Sequence, residues 1–148
     1  MPTQIAEIVV LGKAAPAGSK RAFRNPRTGK IMVADANRLA APWKQQVAGA
    51  ARAGYMGNPV HGPVELELTF VLTRPKAHYG TGRNAGTLKD WAVKARPTSK
   101  PDALKLARGV EDALTGILWK DDAQIVEEHL SKVYGEVEQT IIRAWLLD

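Results

Sequence analysis

The 148-residue chain has no cysteine. That removes disulfides, thiolate zinc sites and thiol nucleophiles together, and it suits a reducing compartment without requiring one. Long apolar runs are also missing. The N-terminal MPTQIAEIVVLG is too short in apolar residues and too poor in cations for a secretion signal, and nothing approaches the roughly 18 apolar residues of a membrane span. The expectation is a soluble, cytoplasmic protein with no membrane partner. His78 has no second His or Cys at ligand spacing, so no zinc site is read around it. Acid is absent from residues 13 to 30, a stretch holding three Lys and three Arg.

What is present is globular in character. Hydrophobic residues make up 45% and charged residues 24% of the chain, enough apolar material for a core in one domain spanning 1–148. Net charge is +6 and the isoelectric point is near 9.7, a field that favours a polyanion, nucleic acid above all.

IAEIVVLG (5 to 12) reads as a strand entering the long basic loop, with RTGK as its turn. That loop is either a solvated surface segment or a phosphate-contacting arm. IMV (31 to 33) is expected to pair back on the first strand. Leu39, Trp43, Val47 and Ala50 or Ala51 recur at helical spacing, predicting a helix from about 38 to 53 with Pro42 in its first turn. PVELELTFVLT alternates apolar and polar residues as a half-covered strand does. From Arg74 to Ser99 the periodicity is lost. This polar, basic stretch offers Arg74, Lys76, His78, Tyr79 and Arg83 for phosphate and stacking contacts, or is simply a surface loop.

A second helix follows Asp102, with Leu106, Val110, Ala113, Leu114 and Ile117 on one side and Lys105, Arg108 and Asp112 on another. Gly116 suits its C-terminus. Two strands, AQIVEEHLSKVY and EVEQTIIRAWLL, close the chain around Gly135. The order β-β-α-β-α-β-β predicts an α/β (α+β) domain with a mixed sheet of about four to five strands and two main helices.

The chemistry concentrates between residues 98 and 127, where four Asp and two Glu flank a helix carrying cations. Asp102 opens the helix, while Asp121 and Asp122 lie in the turn beyond it. About 14 helical residues cover about 21 Å, so the two ends meet only if the chain doubles back or the following strand runs beside the helix start. Converging carboxylates repel and call for a cation. Mg²⁺ prefers oxygen ligands and substrate phosphates, and Arg108 on the helix would support charge developing on phosphate. Each residue has a plainer reading too: Asp102 as a helix cap, Asp112 as the partner of Arg108, Asp121 and Asp122 as turn formers.

KPD (100 to 102), KLARGVEDALTGIL (105 to 118), KDDAQIVE (120 to 127) and YGE (134 to 136) together resemble the RusA-like Holliday-junction endodeoxyribonucleases of bacteria, phages and prophages. APAGSKRAF, PRTGK and PWKQQVAGAA are similar to further family segments, the last two to its phage branch. The resemblance implies a two-fold symmetric homodimer that binds four-way DNA junctions by shape and cuts paired strands with Mg²⁺, or Mn²⁺, and no small-molecule cofactor. It makes Asp102 and Asp122 metal-binding catalytic carboxylates, with Asp121 beside the latter. Arg108 takes the place of a catalytic cation, and Lys20, Arg21, Lys100, Lys105 and Arg108 face DNA. The setting implied is the cytoplasm of a bacterial or phage-infected cell.

One position departs from the pattern. Many members carry a second Asp two residues after the first, where this chain has Leu104. Asp112 is expected to substitute ahead of Glu111, because it shares the Lys105 and Arg108 face. The competing expectation is a weak or inactive protein that binds junctions or branched DNA without cutting them.

Overall fold

The computed structural model describes residues 1–18, 20–35 and 38–148, and the side chains of these except residues 20, 21 and 33 to 35. Eight main elements follow in order: β1 (Thr3–Leu11), β2 (Lys20–Arg24), β3 (Ile31–Asp35), α1 (Ala40–Gly54), β4 (Val64–Thr73), α2 (Ala103–Leu114), β5 (Ile125–Gly135) and β6 (Gln139–Leu146). Single 3₁₀ turns interrupt the segment between β4 and α2, and one more, Asp122–Gln124, precedes β5.

The α+β class and the mixed sheet match the sequence reading. Four strands run in the order β1-β6-β4-β5, with β4 and β5 parallel and the other pairs antiparallel. A parallel pair needs a crossover, and α2 lies within it. The pairing of IMV is different from that expected. It belongs to β3, which pairs with β2 in a separate hairpin, so the basic segment contains a strand that its Gly and Pro residues concealed.

Period-two alternation decides which sheet face is covered. Val64, Leu66, Leu68 and Phe70 of β4 are fully buried, with Ile8 and Val10 of β1 and Ile142 and Ala144 of β6. Leu106, Ala107, Val110 and Leu114 of α2 and Trp43, Val47 and Ala51 of α1 join the same core. The opposite face is polar. There Arg143 of β6 reaches Glu67 of β4 at 2.7 Å and Glu7 of β1 at 3.4 Å.

Two glycines have specific work. Gly116 takes φ +90° just beyond α2, a conformation that L side chains resist. A Cβ on Gly135 would lie 2.5 Å from Cγ1 of Val71, so the central residue of the YGE motif is glycine because the neighbouring strand leaves no space.

Candidate active site on helix α2

Asp102 is the N-cap residue of α2 by backbone position, its carbonyl accepting from the Leu106 N–H at 3.0 Å. Its exposed carboxylate makes no cap hydrogen bond. The capping account of this side chain therefore fails, and the carboxylate is left available. The peptide before Pro101 is cis. Lys132 of β5 holds this end of the helix, its Nζ donating to the carbonyls of Ser99 at 2.9 Å and Pro101 at 3.0 Å. Lys100 and Lys105 flank Asp102 and are exposed.

The other end of α2 is acidic. Glu111 is half-buried, and burial, reinforced by the nearby charges of Glu128, Asp122 and Asp112, pushes its carboxyl up from 4.5 to about 7. Its side chain hydrogen-bonds that of Glu128, whose own carboxyl burial also raises. Two carboxyl groups this close repel when both are charged, which adds to the effect of burial in favouring the neutral form of Glu111.

Asp121 and Asp122 play different parts. Asp121 accepts from the Ala123 N–H at 2.9 Å, while Gln124 Oε1 accepts from the N–H groups of Asp121 and Lys120. Gln124 Nε2 then donates to the carbonyls of Val60 and Gly62, fastening the turn to the body of the protein. One oxygen of Asp121 is thus committed to the turn, whereas Asp122, exposed at the next position, adds its charge to the Glu111 group.

β5 does run back along α2, as the sequence reading required. Its start lies by the end of the helix, through Glu128 and Glu111, and it is Lys132 that arrives at the helix start. Asp102 thus opens α2, and Asp122 adds its charge near Glu111, nine residues further along the chain.

Asp112 is also not where its helical neighbours suggested. It pairs with Lys44 of α1 at 3.1 Å, and among the described residues it makes no pair with Arg108. Arg108 is exposed and makes no ion pair among the described residues. Lys20 and Arg21 lie in β2 with side chains outside the described set, and Leu104 is 71% exposed beside Asp102.

Sequence reasoning passed over Glu128. The available signal was its place in the alternation: in VEEHLSK it shares the helix-facing side of β5 with Leu130 and Lys132. Among the described residues one group of three donors lies within 4.8 Å, Glu65, Glu127 and His129. These occupy the opposite face of the sheet, and His129 Nε2 stands 3.8 Å from Glu65 Oε1. No described helix is long and apolar enough to cross a membrane.

Comparison with known proteins agrees with the motif pattern. The family model for endodeoxyribonuclease RusA matches residues 14–144. The chain is also 32% identical over 123 residues to the uncharacterized protein YqaN of Bacillus subtilis (strain 168), covering 82% of this chain and 83% of that one. With the KPD end, the α2 helix, the DD turn and the YGE strand all inside the matched region, the chain belongs to the endodeoxyribonuclease RusA family.

Proposed function

We propose that the chain is a structure-selective endodeoxyribonuclease that binds four-way DNA junctions as a two-fold homodimer and hydrolyses phosphodiesters with a carboxylate-held divalent metal. It would act in the cytoplasm of a bacterial or phage-infected cell, with each metal site completed by both protomers. The observation carrying this reading is the division of α2 into a basic end with one available carboxylate and an acidic end with too many.

A two-fold axis across β5 and α2 resolves that division. Among the described residues β5 is an 11-residue edge strand paired on one side, and an open edge is a ready template for a second copy. Antiparallel apposition sets the Asp122 end of one protomer against the partner's Asp102. It also sets Glu111 and Glu128 against the basic Lys105, Arg108 and Lys132 of the facing end, so charge favours that register.

The donors fit a hard divalent cation. All are carboxylates, and burial together with the nearby charges of Glu128, Asp122 and Asp112 raises the Glu111 carboxyl to about 7, a cost that a bound cation would relieve. Asp102 of one protomer and Asp122 of the other would hold the ion, with Glu111 offering the carboxylate that Leu104 lacks. A bound Mg²⁺ or Mn²⁺ would supply Lewis-acid stabilisation of charge on the scissile phosphate. Arg108, exposed and without an ion pair among the described residues, adds a guanidinium for the same charge. Lys100, Lys105, Lys20 and Arg21 hold the backbone phosphates, and Asp121 keeps the turn that carries Asp122.

Leu104 favours a second reading, a junction- or branched-DNA-binding protein that does not cut. Nicking of a synthetic four-way junction separates the two. The nuclease reading expects Mg²⁺-dependent nicks, lost in EDTA and in Asp102→Asn, with junction binding retained in both. Binding without nicks in either Mg²⁺ or Mn²⁺ leaves the second reading.

A further inference from the structure

The loop between β4 and α2 carries Trp91, a large aromatic side chain 60% exposed. A single exposed aromatic is ordinary by itself, but here its surroundings are highly ordered. The ring sits edge-on against His78, centroids 5.0 Å apart, and His78 sits edge-on against Tyr134 of β5 at 4.9 Å. His78 is only 7% exposed, so it serves as the support and not as a contact surface. Arg74 lies over the Tyr134 ring at 5.5 Å and donates to the Ala92 carbonyl next to Trp91. Backbone bonds from Lys89 N–H to His78 C=O and from Ala92 N–H to Lys89 C=O, each 2.9 Å, fix the loop from both sides. The platform exists before anything binds, which lowers the ordering cost of binding.

The same loop builds a cleft of about 460 Å³ lined by Arg74, Lys94, Arg96, Val93 and Tyr134, with cations and no acid in its wall. From 74 to 96 the chain has six Lys or Arg against the single acid Asp90. Tyr134 also lines the neighbouring groove that reaches Lys100 and Pro101, so the cleft continues toward the Asp102 end of α2. An aromatic face beside a cationic cleft is the pairing that recognises an unstacked base together with its phosphate. A protein partner docking on Trp91 would need a wider apolar surface than this basic loop provides.

We propose that Trp91 and the Arg74–Lys94–Arg96 cleft form a nucleotide-binding site, in which an unpaired DNA base stacks on the indole while its backbone phosphate occupies the cleft. The site rests on the DNA-binding reading above and gives it a residue that recognises strand opening at a branch. Tyr79, half-buried and bridged to Leu88, is not the stacking residue.

The test uses a four-way junction with 2-aminopurine at the branch point, in EDTA so that nothing is cut, beside a linear duplex of the same sequence. Wild type should alter the 2-aminopurine emission. Trp91→Ala should abolish that change and weaken junction binding about tenfold while leaving duplex binding unchanged. Trp91→Phe should keep most of both, and Arg96→Gln should reduce the salt slope of binding by about one. Equal weakening on junction and duplex, or an unchanged 2-aminopurine signal in Trp91→Ala, overturns the proposal. So does wild-type binding with no emission change, a readout that holds even if Trp91→Ala folds poorly. Failure of wild type to bind either DNA would instead sink the underlying DNA reading.

Discussion

The two ends of α2 use carboxylates in opposite ways. At the start, Asp102 is exposed, lacks a cap hydrogen bond and stands among Lys100, Lys105 and a Lys132 that is engaged with the preceding loop. At the far end, burial of Glu111, reinforced by the nearby charges of Glu128, Asp122 and Asp112, raises its carboxyl to about 7. A carboxylate among cations is a ready ligand short of companions, and a carboxylate cluster without cations is a ligand set short of charge. On the proposed reading these are two half-sites, each completed by the opposite end of a second copy.

Changes at the acidic end sharpen that contrast. The larger effect is expected from Glu111→Gln. Because folding raises this carboxyl from 4.5 to about 7, the stability it contributes is complete below about pH 4.5 and is lost as pH rises through about 7. Glu111→Gln should therefore stabilise the metal-free protein at pH 8 by about 1–2 kcal/mol, allowing for screening at a half-exposed site, and by little at pH 4.5. Denaturant melts at the two pH values measure this, and a gain that is equal at both would break the picture of a strained acidic end. If Glu111 also ligates, the same variant should nick more slowly.

A smaller effect is expected from Asp112→Asn. The half-exposed pair with Lys44 is worth about 0–1 kcal/mol, and its loss should shift the melt only slightly. Nicking should stay within about twofold of wild type, since Lys44 already neutralises this carboxylate. A large loss of nicking would return Asp112 to the metal site and favour the helical-face argument over the tertiary one.

Local patterns in the sequence located both helices, strands β1, β4, β5 and β6, and the turn glycine Gly116, because periodicity and punctuation are properties of neighbours along the chain. The β2–β3 hairpin escaped: KRAFR is short, and the partner of IMV depends on contacts that spacing does not encode. For the same reason residues 102 to 122 could be singled out in the sequence but their arrangement could not. Helical spacing placed Asp112 near Arg108, and only the packing of α1 against α2 turned it to Lys44. Likewise, spacing allowed the strand after Asp122 to return to the helix start. Which residue of that strand arrives there depends on how the parallel pair is staggered, and it is Lys132. Trp91 was hidden in an aperiodic loop where no pattern separates a platform from a tether.

The claim that each site is shared between protomers can be tested by mixing two inactive variants. Asp102→Asn and Asp122→Asn proteins, each unable to nick alone, are denatured together, refolded and assayed on a four-way junction in Mg²⁺. Shared sites predict recovered nicking at roughly one-quarter of the wild-type level, since half the dimers are mixed and each of those has one intact site. No recovery, with both variants shown to form mixed dimers, would contradict the account and return both carboxylates to a site within one chain.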